Sequence, residues 1–226
     1  MNLILTSDFP STANAAVVDR IKTAAPEPRI AWIPPFTDKD GVHFSEAERL
    51  FGNAGLSQLE YLDIDENLDQ VQLAYLHEFD VIYLSGGDPV RFRYNAIRAG
   101  LSGRLRQCAA LGRLIVGASG GALLLTPNVS LSRLQTESVE EVIATRGRFA
   151  ALGAVTFELL PHANRLHAGF IDKVRRYTEL TETDVLAVAD GGAIISISTS
   201  ADAFDHVGTI TRYRHGEIIA TDSRAE

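Results

Sequence analysis

Five short, strongly apolar runs recur through the first half of the chain: NLILT (2–6), RIAWIP (29–34), LEYLDI (59–64), DVIYLSGG (80–87) and RLIVGAS (113–119). Between them lie stretches of helical pattern at 11–24, 44–54, 66–77 and 89–112, the last broken near AGLSG. Apolar runs of this length without polar alternation suit strands buried on both faces. Strands alternating with helices over short connections predict a parallel sheet, covered by helices on both faces and joined by right-handed crossovers. Ligands of such sheets gather at the carboxyl ends of the strands.

The second half reads differently. Residues 130–150 have no clean period, GAVTFELLPH (153–162) reads as a further strand, and 167–181 as a helix. DVLAVADGGAIISIS (184–198) consists of two apolar runs around Asp190, Gly191 and Gly192, and HVGTITRYRHGEIIATD (206–222) of two more around RHGE; both read as hairpins. The expectation is one α/β domain over residues 1–226. It has three layers, a mostly parallel sheet with helices on both faces, and an antiparallel C-terminal hairpin extension.

At 226 residues and 46% hydrophobic, the chain can bury a full core. A net charge of -8 sets an average field that repels polyanions, which argues against nucleic acid or an anionic membrane as a general partner. The opening MNLILTSDFP has no basic lead-in and too short an apolar run for a secretory signal, and no run of about 18 apolar residues occurs. A cytoplasmic protein is expected, with homodimerisation left open. The single cysteine, Cys108 in LRQCAALGR, makes no internal disulfide or metal framework and reads as a buried helix thiol.

Chemistry concentrates in LIVGASGGALLL (114–125), where Gly117, Ser119 and Gly121 match G-x-S-x-G. In that pattern a serine sits on a strained strand-to-helix turn, and small neighbours let the elements approach closely. The match stands at the end of a strong strand and opens a helix-like segment, the context the motif requires. A serine nucleophile needs a base, and the base needs a third group to orient it. His162 directly follows a strand in LLPH and so emerges at the same edge of the sheet; His167 is the runner-up. His43, His77, His206 and His215 sit in polar surroundings and read as solvated.

Among acids between Ser119 and His162, Glu158 lies on the same strand as His162 but about 13 Å away along it. Glu140 and Glu141 read as first-turn helix residues. Glu137, at the start of the polar cluster TESVEE, is the expected third member. The backbone N–H of Gly120 is one expected oxyanion donor, and the Gly86–Gly87 turn of YLSGGDP supplies a second at Gly87. Neither H-E-x-x-H nor a Cys/His cluster is present, so no metal and no cofactor are expected.

YLSGGDPVRFRYNAI, IVGASGGALLLTPNVSL and LLPHANR resemble, in order and spacing, the aspartyl dipeptidase (peptidase E) family of serine peptidases, whose fold is that of class I glutamine amidotransferases. The resemblance implies that Ser119 is the nucleophile, His162 the base and Glu137 the third member. It maps the family's Gly-Gly-Asn loop to Gly86, Gly87 and Asp88, and implies a small peptide substrate with N-terminal aspartate. Gly120 stands where relatives usually have alanine, which is expected to loosen the elbow. Asp88 stands for the usual asparagine and adds negative charge. An anionic substrate calls for a cation, and Arg165 is the nearest in sequence, with Arg91 and Arg93 as others. Two alternatives accompany this reading: a cyanophycinase-like β-aspartyl peptidase, and a noncatalytic module that binds a small ligand on the same fold. An amidotransferase would need cysteine at the elbow.

Overall fold

A computed structural model describes residues 2–9, 15–197 and 204–224. The five apolar runs become β1 (Leu3–Thr6), β2 (Ile30–Ile33), β3 (Leu59–Tyr61), β4 (Val81–Leu84) and β5 (Leu114–Ala118). They pair in parallel in the order β3-β2-β4-β5-β1. Alternate residues of each strand enter different cores. In β4, Val81 and Tyr83 join α1 (Ala15–Lys22) and α2 (Val42–Asn53), whereas Ile82 and Leu84 join α4 (Pro89–Arg98) and α5 (Leu101–Ala110). Both faces are therefore dry, which is why these strands read as continuous apolar runs. A short α3 (Gln70–Ala74) follows β3, capped by the Asp69 carboxylate, which accepts from the N–H groups of Val71 and Gln72. The expected helix over 11–24 begins at Ala15, and residues 11–14 lie outside the described residues.

After β5 come α6 (Gly120–Leu125), a 3-10 turn at Ser130–Gln135, α7 (Val139–Thr145) and a further 3-10 turn at Arg146–Phe149, which together account for the aperiodic stretch. Ser138 and Glu141 form a reciprocal capping box, and Glu140 and Glu141 occupy the first turn of α7 as expected. The strand read over 153–162 shortens to β6 (Glu158–Leu160), and α8 (Ala168–Thr181) connects it to β7 (Val185–Val188), its parallel neighbour.

The reading of 184–198 as a hairpin is corrected. β7 and β8 (Ala193–Ile197) do not pair, because β9 (Phe204–Arg214) inserts between them, antiparallel to both. The second hairpin is present: β10 (Glu217–Arg224) folds back on β9. β8 in turn pairs antiparallel with β1, so the sheet runs on from its parallel half into a mixed half that ends β9-β7-β6. The carboxyl ends of β5, β6 and β7 carry Ser119, His162 and Asp190.

Candidate active site

Ser119 follows β5 with φ 48° and ψ −110°, and His162 follows β6 with φ 59° and ψ 36°. Neither is glycine, and side chains held at positive φ are strained by about 1–3 kcal/mol each, a pattern concentrated at functional sites. The two strained turns aim their side chains at each other, with Ser119 Oγ 3.1 Å from His162 Nε2. The serine hydroxyl does not cap α6, which leaves it to the imidazole.

The other ring nitrogen, Nδ1, meets Asp190 Oδ1 at 2.6 Å. Asp190 is set by its surroundings on both oxygens. Oδ2 accepts from Arg165 Nε at 2.5 Å and from Asn164 Nδ2 at 3.2 Å, and Oδ1 also lies 3.4 Å from the hydroxyl of Ser7. Its backbone N–H donates to Asn164 Oδ1 at 2.8 Å. Burial works against its charge, but the hydrogen bonds from His162, Arg165 and Asn164 outweigh it and hold the carboxyl below the usual aspartate range. The end of β1 braces the same corner: the N–H of His162 donates to Ser7 Oγ at 2.8 Å, and that of Gly191 donates to Asp8 Oδ1 at 2.7 Å.

Glu137 does not stand at His162. Its carboxylate forms a two-point ion pair with Arg133, four residues earlier, and the Arg133 guanidinium stacks on Phe149 at 4.0 Å. Lys173 Nζ ties the main chain there by donating to the carbonyls of Leu134 and Glu137. The loop thus folds onto α8, and the place expected for Glu137 belongs to Asp190. Glu158 is also removed from the site, fully buried against Tyr177 and Arg146; burial raises its pKa and Arg146 pulls it back. His167 caps α8, its Nδ1 accepting the N–H of Phe170 at 3.2 Å. His206, read as solvated, is buried in β9 instead. Cys108 is a buried helix thiol, and burial pushes its pKa up to about 11.

The Gly86–Gly87 loop lies against the elbow. A Cβ on Gly120 would come within 2.1 Å of the Gly87 carbonyl oxygen, so nothing larger than glycine fits while the loop stays in place. Gly87 itself has φ 125°, in the region that favours glycine. Gly120 is therefore a requirement of close packing, which corrects the expectation of a looser elbow. As the first residue of α6 it has no helical carbonyl behind it to take its N–H. Asp88 caps α4, its Oδ1 accepting from the N–H groups of Val90 at 2.8 Å and Arg91 at 3.2 Å. Arg91 pairs with Asp65, and Arg93 donates to the carbonyl of Ala150.

Ser119, Gly120, Gly87, Asp88, His162 and Arg165 all border one open cavity of about 560 Å³. Gly86 borders a second cavity of about 340 Å³, which Gly87 also lines, together with Phe9, Trp32 and Tyr83 among others. Among the described residues no cluster of side chains has the make-up of a metal site, and no helix is long and apolar enough to cross a membrane. The arrangement can activate a hydroxyl, hold an imidazole in one tautomer and accept an anionic oxygen, which are the parts of acyl transfer.

The model of peptidase family S51 matches residues 3–203. An uncharacterized peptidase of Listeria monocytogenes is 26% identical over 206 residues, covering 90% of this chain and 93% of its own. Another from Pasteurella multocida is 29% identical over 114 residues, 49% of this chain and 54% of its own. Two crystal structures share the fold. A peptidase E candidate from Listeria monocytogenes EGD-e has a TM-score of 0.67 at 22% identity, covering 94% of this chain and 98% of that one. A peptidase from an acI-B1 Actinobacterium has a TM-score of 0.73 at 16% identity, covering 99% of this chain and 94% of that one.

Proposed function

Because this chain belongs to peptidase family S51 and is therefore a serine-type peptidase, we propose that it is an exopeptidase that releases N-terminal aspartate from short peptides, chiefly Asp-Xaa dipeptides. The observation that carries the reading is the continuous path Ser119 Oγ, His162, Asp190, with contacts of 3.1 and 2.6 Å. Ser119 Oγ attacks the peptide carbonyl while His162 Nε2 takes its proton. The N–H groups of Gly120 and Gly87 receive the oxyanion. Collapse of the tetrahedral intermediate breaks the C–N bond, and His162 returns the proton to the departing amine. Water then repeats the sequence on the acyl-enzyme, restoring Ser119. Asp190 takes the third position, orienting the imidazole and stabilising its charged form.

The cavity of about 560 Å³ accommodates a dipeptide. Arg165, at its wall, supports recognition of an acidic substrate, since the described residues offer no acceptor to its two terminal nitrogens. Labelling with a fluorophosphonate probe tests the nucleophile: the adduct is expected on Ser119 and is lost in Ser119→Ala. A profile over Asp-Leu, Asn-Leu and the β-linked isomer tests the substrate. Hydrolysis of Asp-Leu by Ser119→Ala at the parent rate would overturn the mechanism, and preference for the β-linked isomer would transfer the assignment to β-aspartyl peptides.

A further inference from the structure

One short turn carries the base and both clamps on the acid that orients it. His162 begins the turn, Asn164 and Arg165 complete it, and all three side chains reach the carboxylate of Asp190. Arg165 differs from the other two in facing two ways. Its Nε is directed inward to Asp190 Oδ2 at 2.5 Å, while 64% of its side chain is exposed and borders the cavity that holds Ser119. The two terminal nitrogens of a guanidinium carry four N–H donors in a planar fork that matches a carboxylate. Arg133 also borders the cavity, but one edge of its guanidinium is occupied by Glu137, a face by Phe149, and its remaining Nη1 is buried. Asp88, the other charged residue bordering the cavity, has the wrong sign for an anion.

We propose that Arg165 is a bridge between substrate and triad: its terminal nitrogens receive a carboxylate of the substrate while its Nε positions Asp190. The proposal rests on the Ser119 peptidase reading and adds a coupling to it. An arginine anchored at one edge alone swings about its long stem, and a carboxylate on the opposite edge fixes the plane of the guanidinium, and with it Oδ2 of Asp190. Oδ1 is then held for His162 Nδ1. Docking of the carboxylate thus improves the chemical step as well as binding. Two carboxylates of an Asp-Xaa dipeptide have this chemistry, the aspartate side chain and the terminal carboxylate of the leaving residue.

Initial rates on Asp-Leu, Asn-Leu and Asp-Leu-amide, for the parent enzyme, Arg165→Met and Arg165→Lys, separate the possibilities, with thermal melts as a control for folding. The parent is expected to lose kcat as well as gain KM on one of the two neutralised substrates, which identifies the carboxylate that docks. Arg165→Met is expected to erase that discrimination and still to lose about tenfold in kcat on the neutralised substrate, through the loosened Asp190. It should also move the acid limb of the kcat/KM profile to higher pH, because removing the cation that shares Asp190 leaves that carboxylate freer to hold a proton on the imidazole. Arg165→Lys keeps the charge and hence the limb, but restores only part of the discrimination. Equal losses on all three substrates with an unmoved limb would reduce Arg165 to a structural role. Discrimination that survives Arg165→Met, or is absent from the parent, would overturn the proposal while leaving the Ser119 labelling result intact.

Discussion

Replacing Asp190 by asparagine tests the proton relay by a route specific to this structure. In the parent, Oδ2 accepts from two donors, Arg165 Nε and Asn164 Nδ2, and Oδ1 accepts from His162 Nδ1. Asparagine has only one oxygen. On the Oδ1 side the Ser7 hydroxyl, 3.4 Å away, can turn to accept, whereas Arg165 on the Oδ2 side is charged and can only donate, so the amide turns its oxygen to Arg165 and Asn164 and its NH₂ to His162. Nδ1 must then be the acceptor, which puts the ring proton on Nε2. That tautomer cannot take the proton of Ser119, 3.1 Å away. With the charge of Asp190 also gone, the imidazolium of the transition state loses its counterion. The expected loss in kcat is about 10³–10⁴-fold, about 4–5.5 kcal/mol. The assay is leucine release from Asp-Leu across about pH 6–9, beside a thermal melt. Tm should fall by only about 2–5 °C, since the amide keeps the Arg165 and Asn164 contacts. Glu137→Gln, which touches Arg133 and not His162, should stay within about twofold of the parent rate. If Asp190→Asn retained a tenth of parent activity while Glu137→Gln lost it, the assignment of the third position would be refuted.

The elbow and the acid stability of the fold yield two more outcomes. Gly120→Ala sets a methyl against the Gly87 carbonyl, where a Cβ would lie 2.1 Å away; displacing the loop should cost about 1–3 kcal/mol by denaturant melt and lower kcat far more than it alters KM. Asp184 lies between Arg212 and Arg214, and although burial opposes its charge, their hydrogen bonds hold its pKa below the ordinary value. A lowered folded-state pKa stabilises above the unfolded value of about 3.9 and loses that contribution as pH falls through the folded value. Asp184→Asn should therefore flatten the fall in Tm below about pH 4, and an unchanged slope would refute the coupling.

Ser119 and His162 were legible because each directly follows an apolar run, and the carboxyl ends of buried strands are where such sheets gather their chemistry. Asp190 satisfies the same rule, following the run that becomes β7, yet Asp-Gly-Gly between two apolar runs is also hairpin chemistry. What separates the two meanings is β9, a strand later in the chain that inserts between β7 and β8. Local pattern carries no trace of that insertion. Glu137 belongs to the segment between Ser119 and His162, whereas the carboxylate that meets His162 comes after both, on the strand joined to β6 through α8. The reason for Gly120 was similarly out of reach: the atom that excludes a side chain there is a carbonyl 33 residues earlier. His206 alternates into the sheet rather than into water, a placement set by its pairing opposite Ile194.

The proposed nucleophile and base stand on different halves of one sheet. Ser119 rides on the all-parallel half and the His162–Asp190 pair on the β6–β7 half, and the seam between them is the antiparallel contact of β1 with β8, registered at Leu5 with Ile194 and Thr6 with Ala193. Ser7, next along β1, straddles that seam through its bonds with Gly192 and His162. Catalytic rate is thus a gauge of alignment across a joint two residue pairs long. Substitutions along that joint, remote from any substrate atom, should silence the enzyme while each half keeps its own core.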